Sequence, residues 1–383
     1  MKKLLAVLLA IMVVSTVFAG GGSEASAAIN TGSSGTIDIG IAMPESHVLR
    51  WVKDGNALLA NAQARGYSAG HQNAAANQLT QNQQIQNFLT RGAKLLVIGN
   101  INEGVATVVA EARRDNVRVI AYDRIIQGTN NYDCFITFNN YKVGQLQGEA
   151  IVRGANLAAA TTANPKYITL FAGSPTDANA NFFFQGAMDV LLPYITRNVL
   201  RVVGPAPRHY RDAAFQQIAT EGWDPTRAKA RMENLLGSAE FRNITLDAVL
   251  APNDTLGLAI IEALKADAKY QSSLPVVTGQ DAQHNGLVSI ISGELYATVF
   301  KDTNKLAEAA ILIADQLLKG QPVNVPGVVV ASGDLREIGN TGSGYVTTYL
   351  LDPVSITRDN TNVPIDAGFY NADELRQINA ARR

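Results

Sequence analysis

Apolar runs that stop abruptly at a polar tip recur along this chain, and they alternate with amphipathic helical stretches. Val119-Ile120-Ala121-Tyr122 ends in Asp123-Arg124, Leu250-Ala251-Pro252 in Asn253-Asp254, and Val277-Thr278-Gly279 in Gln280-Asp281. Continuous apolar strands separated by helices predict an α/β fold with a parallel sheet covered on both faces. In open sheets of this kind, ligands sit just outside the carboxyl ends of the strands. A single acid–base pair at a strand end reads most simply as an ion pair with no ligand. Three such tips point to one polar cleft.

The alternation runs twice. A first series extends from Thr36 through Tyr122 to Phe138, and a second restarts at Lys166. With 383 residues the chain is too long for one simple core and suits two domains. The expected layout places residues 36–139 and 282–325 in an N-terminal lobe. Residues 140–281 and 326–383 then form a C-terminal lobe, with the C-terminal stretch packed on it as an extension. A cleft between two such lobes is a natural ligand site.

Met1-Lys2-Lys3 followed by the apolar run Leu4–Phe18 has the layout of a secretory signal peptide. Cleavage after Ala19 fits the small-residue rule, and a cut after Ala28 is also compatible. Residues 20–35 then read as a flexible tail, and the mature protein is expected to be exported and soluble. The formal net charge of −1 gives no support to nucleic-acid binding. Cys134 is the sole cysteine, so no internal disulfide and no cysteine-based metal cage forms. There is no Walker loop, no nucleotide-type glycine fingerprint after the first strand and no HExxH, and the four histidines lack metal-ligand spacing. Neither cofactor nor metal is expected.

Binding a small polyol near micromolar affinity requires about −8 kcal/mol. A neutral hydrogen bond nets only about 1 kcal/mol and one to a charged group about 1.5–3, so several charged and amide groups must converge in a dry site. Arg50 and Trp51 open the first helix, where core and solvated-turn roles compete with a place at the cleft mouth. Asp177 and Asn179 follow another strand and are equally good helix N-caps. Of the consecutive rings Phe182-Phe183-Phe184, one is free to cover a ligand. Trp223 lies in a loop, which favours stacking on a sugar face. Lys301 ends the run Tyr296–Phe300. Asp177, Asp254 and Asp281 could also pair for glycoside hydrolysis, although neighbouring Asn and Arg groups suit binding better.

On these residues, the chain from about Thr36 onward resembles bacterial periplasmic sugar-binding proteins of the ribose/galactose type. Within that group it is most similar to xylose-binding and multiple-monosaccharide (glucose/galactose) proteins. Val119–Arg124, Gly173-Ser174-Pro175 through Met188, Gly222–Leu236, Gly279–Ala282 and Val299–Asp302 carry the resemblance. It implies the type I periplasmic binding protein fold: two Rossmann-like lobes, a three-segment hinge and a monosaccharide enclosed on closure. It also implies a monomer that delivers its sugar to an ABC permease, and in some members to a chemoreceptor or a sensor kinase. Carried over by position, Arg50, Asp123, Arg124 and Lys301 are first-lobe ligands. Asp177, Asn179, Trp223, Asn253 and Asp254 come from the second lobe, Asp281 from a hinge strand, and Phe183 is an apolar wall. Ala178 and Asn181 depart from related sequences beside the sugar loop. The rivals in other classes are a secreted carbohydrate-active enzyme and a sugar-sensing ectodomain.

Overall fold

The computed structural model describes residues 35–46, 48 and 50–383. The expected signal peptide and nearly all of the expected tail lie outside them. The first series comprises β1 (Ile39–Met43), α1 (Arg50–Ala64), β2 (Ala69–Asn73), α2 (Gln78–Thr90), β3 (Leu95–Ile98), α3 (Ala106–Arg114), β4 (Arg118–Tyr122) and β5 (Cys134–Phe138). The second runs through α4 (Asn140–Gly154), β6 (Lys166–Leu170), α5 (Ala178–Thr196), β7 (Leu200–Val202), α6 (Phe215–Ile218), α7 (Pro225–Gly237), β8 (Ala248–Leu250), α8 (Asp254–Ala266), β9 (Val276–Val277), α9 (His284–Ser292) and β10 (Thr298–Phe300). There follow α10 (Thr303–Leu318), β11 (Val329–Val330), β12 (Thr348–Leu351), β13 (Val354–Ile356), α11 (Asn362–Asp366) and α12 (Ala372–Ala381).

Two sheets result. The first has the order β11-β12-β5-β4-β3-β1-β2 and is parallel except for β11. The second is the parallel set β7-β6-β8-β9, beside which β10 and β13 form an antiparallel pair. Strands β1, β3 and β5 are buried along their whole length, as their unbroken apolar sequences require of a sheet covered on both faces. The chain passes between the sheets three times: after β5, after β10 and between β12 and β13.

The expected lobe assignment is corrected at two places. Residues 326–351 do not all join the second lobe, because β12 pairs in parallel with β5, Thr348 opposite Phe135, and its four residues are buried there. Conversely, residues 282–300 do not join the first lobe. Leu287 and Ile291 of α9 pack with Phe300, Ile356 and Ile378 beside the second sheet, while α10 returns to the first lobe and lies along α1.

Helix α4 has no counterpart in the sequence reading. Gly144 and Gly148 lower its intrinsic helix preference, yet tertiary packing requires them. A β-carbon on Gly144 would overlap the Phe183 carbonyl, and one on Gly186 would overlap the Tyr141 carbonyl, so α4 and α5 meet backbone to backbone. The Asn139 side chain caps α4 by accepting from Lys142 N at 3.0 Å. Helix α5 in turn carries Asn179 and Phe183, so this close crossing positions part of the candidate site. Gly144→Ala is expected to destabilise the fold by about 1–3 kcal/mol through overpacking, although alanine is the better helix former. Urea melts of the two proteins measure this, and equal midpoints would contradict so close a crossing.

Candidate functional site

The strand tips converge on one narrow cavity, lined by Val48, Arg50, Trp51, Asp123, Arg124, Asp177, Asn179, Phe183, Trp223, Asn253, Gln280, Asp281 and Lys301. Each tip follows a strand or opens a helix: Asp123 and Arg124 after β4, Asn253 as the cap of α8, Lys301 after β10, Asp177 as the cap of α5. A wider groove near Val152, Val190 and Pro193 is open to solvent, and none of its charged side chains is buried.

Charge organises the cavity. One Arg50 nitrogen lies 2.9 Å from Asp54 Oδ2 and 2.9 Å from Asp123 Oδ1, and the other is 3.7 Å from Asp281 Oδ1. Lys301 Nζ reaches the same Asp281 oxygen at 3.1 Å. Arg124 bridges the two lobes, with Glu45 at 2.9 Å on one side and Asp177 at 2.9 Å on the other. Trp51 lies beneath both guanidinium groups, 4.6 Å from that of Arg50 and 4.9 Å from that of Arg124. It therefore serves the core and the site together.

These contacts set protonation. Burial opposes ionisation of Asp123, but Arg50 and Lys301 outweigh it and hold the carboxyl below its ordinary value. Burial disfavours the charged form of Arg50, but the surrounding acids, Asp123 foremost, outweigh it and raise the group well above its ordinary value. At Asp177 burial wins over Arg124, and the carboxyl is raised. Asp54 is raised for the same reason against Arg50, and accepts from the Tyr122 hydroxyl at 3.2 Å.

Three cavity residues hold left-handed backbone: Asp123 at φ 61°, Trp223 at φ 56° and Asp281 at φ 89°. Each such residue costs about 1–3 kcal/mol and persists only where its surroundings over-determine it. The surroundings are visible. The Asp123 carbonyl accepts from Thr137 Oγ1 at 3.0 Å and from Asn179 Nδ2 at 2.8 Å, the latter across the lobes. Trp223 donates from Nε1 to Asp177 at 3.3 Å and packs its ring where any β-carbon on Gly173 would intrude. Phe183 meets the Trp223 ring edge-on at 6.4 Å, completing an apolar wall.

Of the residues expected from sequence, the structure brings all but one to the cavity. Asp254 is the exception. Its side chain is buried behind the wall, accepting from Gln283 N at 2.8 Å and wedged between Gly279 and Gly286. Asn253 takes the place facing the cavity at the tip, while Asp254, the first residue of α8, turns to the hinge. Missed by sequence reasoning were Glu45 and Val48, while Gln280 was read as part of a polar tip but not as a site residue. Glu45 repeats the strand-end pattern, standing just after β1, and so was detectable. Gln280 is buried on the wall, its Oε1 without a hydrogen-bond partner among the described residues, and Val48 has no sequence signal.

Residues 13–322 match the periplasmic binding protein domain family. The chain belongs to that family. It is 38% identical over 342 residues to the multiple sugar-binding periplasmic receptor ChvE of Rhizobium radiobacter, covering 88% of this chain and 92% of that protein. It is 33% identical to the D-xylose-binding periplasmic protein of Escherichia coli, covering 88% and 92%. A solute-binding protein of an ABC transporter from Clostridium phytofermentans, solved with bound β-D-glucose, superposes with a TM-score of 0.77 at 35% identity, covering 88% of this chain and 99% of that one. Among the described residues, no group of His, Cys, Asp and Glu could hold a metal ion, and no helix is long and apolar enough to cross a membrane.

Burial, opposed by Thr298 and reinforced by Asp281, pushes the Asp254 carboxyl well above its ordinary value. The folded state then keeps a proton that the unfolded state gives up near pH 4, so this residue's contribution to stability falls as pH rises from there. Asp254→Asn removes that loss. Its melting temperature minus that of the parent is expected to increase between pH 4 and pH 8; a constant difference would mean that Asp254 is ionised in the fold.

Proposed function

We propose that the protein is an extracytoplasmic receptor that encloses one neutral monosaccharide, an aldopyranose of the xylose, glucose or galactose class, and delivers it to an ABC importer. The carrying observation is the convergence of Arg50, Arg124, Lys301, Asp123 and Asp281 with the Trp223 and Phe183 rings around one cavity. The ionised Asp123 carboxylate accepts from vicinal hydroxyls, the cations and the Asn253 amide complete the hydroxyl set, and the rings face the C–H side of the sugar. Because these groups come from both lobes, the sugar makes its full set of contacts only when the lobes are together, which makes it the agent of a hinge closure.

The same geometry argues against catalysis. Asp177, the candidate acid for hydrolysis, already engages Arg124, the Trp223 indole and the Asn179 backbone N–H, the last at 3.0 Å. Its oxygens are occupied in holding the wall. The relatives named above are sugar-binding proteins of the periplasm and of ABC transport, which supports a permease as the partner. A chemoreceptor or sensor kinase is a second class of partner for the same closed form.

Isothermal titration with xylose, glucose, galactose, arabinose and ribose is expected to give one-to-one binding near micromolar for at least one aldose. Asp123→Ala should weaken that binding about 100-fold or more, since it removes charged hydrogen bonds of about 1.5–3 kcal/mol each. Silence towards all five sugars from a folded protein would sink the aldose assignment.

A further inference from the structure

Outside the sugar cavity a second cluster joins the lobes. Lys53 lies on α1, three residues past Arg50, and belongs to the first lobe. Its Nζ meets Glu374 Oε1 of α12 at 2.7 Å and stands 5.3 Å and 5.6 Å from the ring centres of Phe369 and Tyr370. Those three residues belong to the second lobe. Phe369, Tyr370 and Ile378 pack with Leu287, Phe300 and Ile356, and the Tyr370 hydroxyl donates to the Ala282 carbonyl at 2.7 Å, in the segment that follows Asp281.

The receptacle is held in shape by its own lobe. Glu374 is the carboxylate of a capping box at the start of α12, where Oε2 accepts from Asn371 N at 2.9 Å and leaves Oε1 facing Lys53. His284 Nδ1 approaches the same Oε1 at 3.4 Å. Phe369 packs edge-on to Phe300 at 5.0 Å and to Tyr370 at 5.4 Å, so neither ring is free to turn away. A fixed carboxylate and two fixed rings thus surround one flexible cation from the opposite lobe.

We propose that Lys53 and the Glu374–Phe369–Tyr370 receptacle are positioning residues that set sugar affinity from outside the cavity. They hold the lobes together and keep α1, with Arg50 and Trp51, seated at the sugar. The proposal rests on the receptor reading above. Contacts made only between closed lobes raise the closed fraction of the unliganded protein, and apparent affinity scales with that fraction. A partly exposed ion pair with cation–π support changes such an equilibrium about three- to tenfold.

The test is titration with glucose and xylose of Lys53→Ala, Lys53→Arg, Glu374→Gln and the Lys53→Ala/Glu374→Gln double variant, with small-angle scattering of each unliganded protein. Glutamine can still serve the capping box, and Lys53 is one-third exposed, so these variants are expected to melt like the parent. Lys53→Ala and Glu374→Gln should each weaken binding about three- to tenfold, the double variant should lose no more than either alone, and Lys53→Arg should regain most of the affinity. Affinity within twofold of the parent in Lys53→Ala, or additive losses in the double variant, would overturn the proposal. If the parent binds no sugar, the receptor reading fails instead, and scattering alone decides: a larger radius of gyration for Lys53→Ala supports the latch and an unchanged one overturns it.

Discussion

The buried guanidinium of Arg50 is the interaction around which the cavity is organised. A cation taken out of water carries a desolvation penalty of several kcal/mol unless it is matched closely. Here the match comes from three separate stretches: Asp54 on its own helix, Asp123 at the tip of β4 and Asp281 beyond β9. Satisfying one charge therefore draws the first helix, the first sheet and the hinge segment to a common point. Lys301 and Arg124 extend the same network, and Trp51 supplies the flat surface under both arginines.

A network of this kind prepares the site for a neutral polar ligand. Asp123 is held ionised by its neighbours, so it is ready to accept from hydroxyl groups without a proton having to move. The left-handed backbone at Asp123, Trp223 and Asp281 aims those side chains inward, at a conformational cost that surrounding hydrogen bonds and ring packing offset. Asn179 shows how tightly the lobes share this task. Its amide accepts from Asn140 at 2.7 Å and donates to the carbonyl of Asp123, so a second-lobe residue steadies a first-lobe residue of the cavity.

Much of the fold was legible in the chain because both signals involved are local. Apolar strands buried on both faces read as unbroken hydrophobic runs, and a polar residue ending such a run marks the face where ligands gather. The elements that escaped depend on distant partners. Gly144 and Gly148 weaken α4 as an isolated helix and become necessary only where α5 crosses it. Strand β12 joins the first sheet because it matches β5 in register some two hundred residues away, and nothing within Thr348–Leu351 specifies which sheet it will enter.

At the site the division is equally physical. Residue types and their place at the ends of strands follow from the sequence alone, because the alternation of strand and helix sets Asp123, Arg124, Asn253, Asp281 and Lys301 just beyond apolar runs. Tertiary structure decided which of two adjacent polar residues faces the cavity. Asn253 and Asp254 are neighbours with the same credentials, yet the turn into α8 sends the second between Gly279 and Gly286, where burial favours its neutral form. It also decided that Lys53 would meet the aromatic receptacle of α12, because that contact exists only once three crossings have set the two lobes against each other.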